Sequence, residues 1–220
     1  MKKIFTILAF VGSTLALSAG EPVGSGSLNK KTSGDGGSCF DGSSHIINVG
    51  VGVGFGGRYY SAYRGSGYTY RRSPAFSLSY EQPLKSKLGP GYLGIGAYAG
   101  FQTTYSRYNY KYNNGNSFYY YDNRWNNFVI AARAAYHLDD LNFENAEVYA
   151  GVMLGMRFQS YIYGTNDPYP NDDYYYSGRS VFPASSIFIG GRWYFAKSVA
   201  LYGELGYGIS YGTIGLSFKF

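Results

Sequence analysis

The chain has 220 residues, with 32 glycines, 27 tyrosines, 15 phenylalanines, a single cysteine and a formal charge of +6. Only 15% of it is charged, and no basic helix or basic run accompanies the positive balance. A nucleic-acid partner is therefore excluded, and an anionic lipid surface is the counterpart that fits. Glycine and aromatics at this level exclude an ordinary helical globule and suit a thin wall of strands between interfacial girdles.

Met1-Lys-Lys, an apolar run from Ile4 to Leu17 and then Ser18, Ala19 and Gly20 carry the three regions of a cleavable signal peptide, residues 1–19. The run is shorter than the roughly 20 apolar residues a spanning helix needs. Residues 20–44, with Gly-Ser-Gly and Gly-Asp-Gly-Gly-Ser, read as a flexible periplasmic leader. Cys39 lies in it as a free thiol, too far from the signal to be a lipidated first residue.

From residue 45 to 220 the chain reads as one β domain. Its first strand, 46–57, alternates Ile47, Val49, Val51, Val53 and Phe55 with Asn48 and glycines. A glycine-lined face cannot build a soluble core, so the apolar set faces outward. The second, 74–82, sets Phe76, Leu78 and Tyr80 against Ser77, Ser79 and Glu81, and the third, 92–106, sets Ile95, Ala97 and Phe101 against Gly94, Tyr98 and Gln102. The fourth, 124–137, and fifth, 146–161, keep the parity, with Phe128, Ile130, Val152 and Leu154 outside and Arg133, His137, Glu147 and Arg157 inside. The sixth, 182–195, the seventh, 199–209, and the terminal strand from Tyr211 bring the number to eight. Here Ile187, Trp193, Leu205, Ile209, Ile214 and Leu216 point outward, and Arg192, Glu204 and Lys219 inward.

The connections alternate in length: 58–73, 107–123 and 162–181 are long, while 83–91, 138–145 and 196–198 are short. Outer-membrane barrels have long external loops and short periplasmic turns. The order obeys that rule except for the tight seventh connection, Gly208 to Gly212.

These features, with Ser186-Ile-Phe-Ile-Gly-Gly-Arg-Trp-Tyr-Phe195 and Leu201-Tyr-Gly-Glu-Leu-Gly-Tyr-Gly-Ile-Ser-Tyr211 leading into Gly215-Leu-Ser-Phe-Lys-Phe220, resemble small outer-membrane β-barrel proteins of the OmpX-like and OmpA transmembrane-domain kind, especially those of Bacteroidota. The resemblance covers residues 45–220 and implies an all-β fold, an eight-stranded antiparallel up-and-down transmembrane barrel. It also implies that the aromatic terminal strand, Phe218 and Phe220, is the signal read by the barrel-assembly machinery. The chain departs from the OmpA pattern in having no peptidoglycan-binding domain after the barrel, so no cell-wall tether is implied.

By parity Glu81, Arg133, Glu147, Arg157, Arg192, Glu204 and Lys219 all point into the barrel, three acids against four bases. An eight-stranded barrel is only wide enough for side chains to fill. A salt-bridged plug is therefore expected, densest toward the periplasmic half. It reads either as structural satisfaction of buried charge or as a gate for ions. Trp193, Phe195, Tyr80, Tyr136 and Phe220 form one expected aromatic belt, and Phe55, Phe101, Phe128 and Phe158 the other.

Most tyrosines fall in the long connections, a composition suited to adaptable recognition. The alternation at Tyr108, Tyr110 and Tyr112 before the turn signal Asn113-Asn-Gly-Asn116 equally suits hairpins that prolong the barrel. Among the loop cations, Arg71 and Arg72 are the candidate contacts to lipopolysaccharide phosphates. Asp167, Asp172 and Asp173 match no strong calcium motif, so no metal or other cofactor is expected. An outer-surface hydrolase would need a histidine there, whereas His45 and His137 both map to the periplasmic side, His137 as a polar turn residue beside Asp139 and Asp140.

The sequence thus describes a monomeric, noncatalytic barrel in the outer membrane of a Gram-negative bacterium, with extracellular loops and periplasmic termini. It would act in membrane integrity or in surface interaction with a protein or glycan. The alternatives are a narrow channel for ions or very small solutes and a lipid-modifying barrel enzyme. Charged substitutions on the outward parity, as at Val152 or Leu205, are expected to block assembly far more than at glycines 151 and 206.

Overall fold

Alternation of period two runs through every long strand, and each strand resolves it by pairing with its neighbours until the sheet closes on itself. The computed structural model describes residues 40, 43–54, 67–84, 87–112, 117–138, 145–168, 177–207 and 209–220. All belong to one unit, Gly36–Phe220. The signal peptide, Cys39, most of the leader, Phe55, Asp139, Asp140, Asp172 and Asp173 lie outside the described residues, as do the tips of the long connections.

The elements are β1 (Ile46–Gly54), β2 (Tyr68–Arg72), β3 (Ala75–Pro83), β4 (Gly91–Tyr112), β5 (Ser117–Leu138), β6 (Ala146–Thr165), β7 (Gly178–Ala196), β8 (Val199–Tyr207) and β9 (Ser210–Lys219). All pair antiparallel, in the order β2-β4-β3-β1-β9-β8-β7-β6-β5, with β5 returning to β4. The chain ends meet where β1 pairs with β9 from Ile46↔Lys219 to Gly54↔Ser210.

β2 and β3 both pair with β4 and together make one stave, so the wall has eight. They are offset by one residue: Arg72 faces Thr104, whereas Phe76 faces Phe101. Pro74 has no N–H to give the ladder. At the break the Thr103 N–H donates to Ser73 Oγ at 3.0 Å, and Gln102 Nε2 donates to the Ser73 carbonyl at 3.0 Å. β2 thus corrects the reading of 58–73 as loop throughout. Likewise 107–123 is mostly strand, because β4 and β5 stay in register from Gly91↔Leu138 to Tyr112↔Ser117.

The polarity of the wall is inside out. Leu154 and Leu205 are each 66% exposed and Ile214 68%, while Glu81 is 0% and Arg192 2% exposed. From Val148 to Phe158 the outward positions of β6 are uncharged, which spans about 25 Å of height at roughly 3.3 Å per residue and a tilt of roughly 40°. At the loop-side edge of this band Phe76, Phe101, Phe128 and Phe158 are successive cross-strand partners. At the other edge Tyr136 donates to the Leu88 carbonyl at 2.5 Å, and the Trp193 and Phe195 rings lie 6.4 Å apart.

One expectation fails on the wall, and the inward glycines leave less room than their parity implied. Ile209 is fully buried, because β8 ends at Tyr207 and the tight connection reverses the parity. Glycines 151 and 206 are not permissive: a Cβ on Gly206 would stand 2.9 Å from the Ile187 carbonyl oxygen, and one on Gly151 would overlap the Phe188 ring.

Candidate functional site: a sealed charge cluster and an aromatic crown

Inward parity on β3, β5, β6, β7 and β8 brings Glu81, Arg133, Glu147, Arg192 and Glu204 to one level near the turn end of the barrel. Glu81 is the hub. Its Oε1 accepts from Arg133 Nε and Arg192 Nη2, both at 2.8 Å, and from Asn48 Nδ2 at 3.3 Å, and its Oε2 lies 3.0 Å from His137 Nε2. Arg133 reaches on to Glu204 with Nη1 at 3.1 Å and Nη2 at 2.5 Å. Arg192 pairs with Glu147 through Nη1 and donates from Nε to Ser217 Oγ at 3.2 Å. Tyr149 completes Glu204 with a hydroxyl donated at 2.8 Å.

Each guanidinium also lies over an aromatic face: Arg133 is 4.0 Å from the Phe188 centroid and Arg192 is 4.4 Å from that of Tyr149. Room for these rings comes from inward glycines. A Cβ on Gly190 would sit 2.6 Å from the Tyr149 ring and 2.8 Å from Glu204 Cγ. Buried ions survive when their hydrogen-bonding capacity is filled, and here both oxygens of Glu81 and Glu204 have partners inside the barrel, whereas Glu147 Oε2 and His137 Nδ1 have no hydrogen-bond partner among the described residues.

The cluster differs in membership from the seven charges the alternation singled out. Arg157 lies higher on β6, and its Nε has no hydrogen-bond partner among the described residues. Lys219 sits half-buried at the end of β9, its backbone N–H bonded to the Ser198 carbonyl at 2.9 Å. His137 takes their place and is no polar turn residue. It is 2% exposed, with Nε2 toward Glu81 and Nδ1 3.6 Å from Glu147.

The face of His137 is covered by Phe40, stacked at 3.7 Å between centroids and 10° between planes. Phe40 and Ser44 are 2% and 1% exposed, so the end of the leader packs into the barrel mouth and is not a free tether. On the opposite side the cluster is roofed by Tyr98, Val129, Met153, Phe188 and Ile209, all buried in one apolar layer. The expected salt-bridged plug is thus a sandwich, with charge between an aromatic floor and an apolar roof.

At the loop end β2, β4, β5 and β6 rise beyond the low β8–β9 turn. Their inner face carries a ladder of rings: Tyr68 on Tyr108 at 4.4 Å, Tyr110 on Tyr121 at 5.3 Å, and Tyr121 on Tyr163 at 6.0 Å. Asp167 accepts hydroxyls from Tyr110 at 2.6 Å and Tyr121 at 3.1 Å. On the outer face Asp122 accepts a two-pronged bond from Arg107, both contacts 2.6 Å, and a hydroxyl from Tyr105 at 2.7 Å. The Arg107 hydrogen bonds hold the Asp122 carboxyl below its ordinary range, with the Tyr105 hydroxyl adding to the effect.

Arg71 and Arg72 are both exposed but face opposite ways. Arg71 is opposite Tyr105 on the outward parity, while Arg72 is opposite Thr104 on the inward one, its guanidinium 6.0 Å from the Tyr70 centroid. Phe218 and Phe220 point outward, 40% and 66% exposed, and Phe220 exchanges two backbone bonds of 3.0 Å with His45. His45 Nδ1 lies 2.7 Å from the Tyr80 hydroxyl.

No family model matches the chain, and no curated protein matches it. Among solved structures it is similar to Ail, the attachment invasion locus protein of Yersinia pestis, crystallised in complex with the heparin analogue sucrose octasulfate. The TM-score is 0.40 and the identity 11%, over 82% of this chain and 100% of that one. A second Ail structure gives a TM-score of 0.40 at 10% identity with the same coverage. The N-terminal β-barrel domain of Pseudomonas aeruginosa OprF gives 0.38 at 13% identity, over 82% of this chain and 98% of that domain.

Proposed function

We propose that the chain is a noncatalytic barrel of the outer membrane of a Gram-negative bacterium, of the Bacteroidota kind its C-terminal motifs resemble. Its termini and short turns face the periplasm and its tyrosine-rich crown faces outside. Its work is to hold the membrane together and to present that crown. The observation that carries this reading is the inverted polarity: an uncharged apolar exterior about 25 Å tall around an interior charge cluster in which Glu81, Arg133, Glu147 and Arg192 are buried. Water would penalise such an exterior and lipid would penalise any other. Phe40 below the cluster and the apolar layer above it support a closed interior.

The test is refolding of residues 20–220 into lipid vesicles, followed by planar-bilayer recording. Insertion with heat-modifiable electrophoretic migration and no discrete openings is expected. A water-soluble monomer that ignores lipid would overturn the membrane assignment. Reproducible openings altered by Glu147→Ala or Arg192→Ala would replace the closed reading with that of a narrow channel.

A further inference from the structure

The outer wall changes character abruptly at the loop-side edge of the apolar band. Phe101, Phe128, Phe158 and Val181 form one cross-strand row on β4 to β7. Two residues further, about 7 Å along the strands, the outward row is Thr103, Asn126, Ser160 and Arg179. Another two residues on, Arg71, Tyr105 and Arg124 share a row. Between the first two rows the wall is indented by a cleft of about 370 Å³, with Phe101, Phe128, Phe158 and Val181 as its apolar floor and Asn126, Ser160 and Arg179 at its polar lip.

Charge complementarity selects the occupant. Among the described residues Asp122 is the acid on this outer face, and its two oxygens are already taken by Arg107 and Tyr105. Arg71 and Arg179 enter no ion pair among the described residues, and Arg124 is exposed beside them. The lip is thus cationic with hydrogen-bond donors, and the floor is aromatic. Below the floor Ala99, Ala97, Ala132 and Ala134 keep the wall shallow down to a second hollow of about 450 Å³ lined by Ile95, Ala134, Val152 and Leu154. The combination matches a phosphorylated headgroup joined to acyl chains that run down the wall.

Resting on the membrane reading above, we propose that this cleft binds a phosphorylated outer-leaflet glycolipid, with Arg179 and Arg124 on its phosphate and the phenylalanine row against its chains. Arg71 lies further round the same arc and extends the cationic lip, while Arg72, on the inward parity, takes no part.

The experiment is native mass spectrometry of the refolded barrel released from detergent micelles that contain diphosphorylated lipid A, the dephosphorylated lipid, or inorganic phosphate alone. The wild-type barrel is expected to retain diphosphorylated lipid A at least about tenfold better than the dephosphorylated form. The double variant Arg124→Ala/Arg179→Ala, and separately Ser160→Trp, which fills the cleft, should each lose that preference. Lys197→Ala at the opposite end should keep it. Retention that ignores the double variant, or full displacement by inorganic phosphate, would overturn the lipid site. Heat-modifiable migration is read on every sample: a barrel that inserts normally but shows no arginine dependence overturns the site alone. A wild-type chain that stays out of bilayers overturns the membrane reading and the site with it.

Discussion

The two ends of this barrel use the same residue types to opposite purposes. At the turn end, arginine and glutamate are buried among aromatic rings, Glu81, Arg133 and Arg192 each held by two or more partners, and the arrangement is fixed by strands far apart in sequence. At the loop end, arginine, aspartate and tyrosine pair mainly across the hairpin strands in half-exposed positions, as in Arg107 with Asp122 on β4 and β5. Buried ion networks are costly to break and exposed ones cheap. The contrast therefore predicts a rigid lower half and a crown whose local openings cost little.

Removing the hub is the most severe way to break this contrast. Glu81→Gln leaves Arg133, Arg192 and His137 without their common carboxylate and should cost about 3–5 kcal/mol, read from the urea midpoint of the vesicle-inserted barrel. An effect below about 1 kcal/mol would mean that the cluster relaxes onto Glu147 and Glu204. Next comes the wall itself, where Leu205→Lys should cost about 2–4 kcal/mol in the same assay, falling as the position moves toward either edge of the band. Phe40→Leu keeps apolar bulk at the mouth and removes the ring stacked on His137, so a loss of about 1 kcal/mol is expected together with faster exchange of the His137 ring proton.

The smallest expected effect sharpens the comparison through pH. Because the folded Asp122 carboxyl titrates below its unfolded value of about 3.9, its contribution is fully present above that value. It fades as the pH falls through the lowered folded value. Hydrogen exchange at Tyr105–Lys111 should therefore quicken below about pH 4 while β6 and β7 stay protected. Asp122→Asn should abolish the pH dependence; simultaneous loss of protection in β6 would mean that crown and barrel unfold as one.

Alternation made the wall legible, because a strand with one face against lipid must keep its parity from end to end, and Phe76, Leu78, Ile130, Leu154 and Leu216 do. The inward charges followed from the same rule. What escaped was set by contacts the alternation does not encode. Phe40 sits among small polar residues that read as linker, and its burial depends on a partner 97 positions away. His137 already had inward parity, but Asp139 and Asp140 beside it gave it the look of a turn residue and hid its place in the charge cluster. β2 was hidden by Pro74, although Tyr68-Thr-Tyr70 already alternated and could have disclosed it. At Ile209 the signal failed because the pairing of β8 with β9 stops at Leu205↔Gly212, and the parity of β8 does not carry through the connection.

The seam between β1 and β9 has a consequence for the order of events in folding. Asn48 and Ser217, 169 positions apart, meet only there, and both bond to Arg192. Until the last stave is in place, the guanidinium lacks those two acceptors and both chain-end strands have an open edge. A partly closed sheet in lipid is thus penalised at once for bare backbone and for an undersatisfied ion. Half-built barrels should be scarce at equilibrium, and closure should behave as a single concerted step that waits for the C-terminal strand.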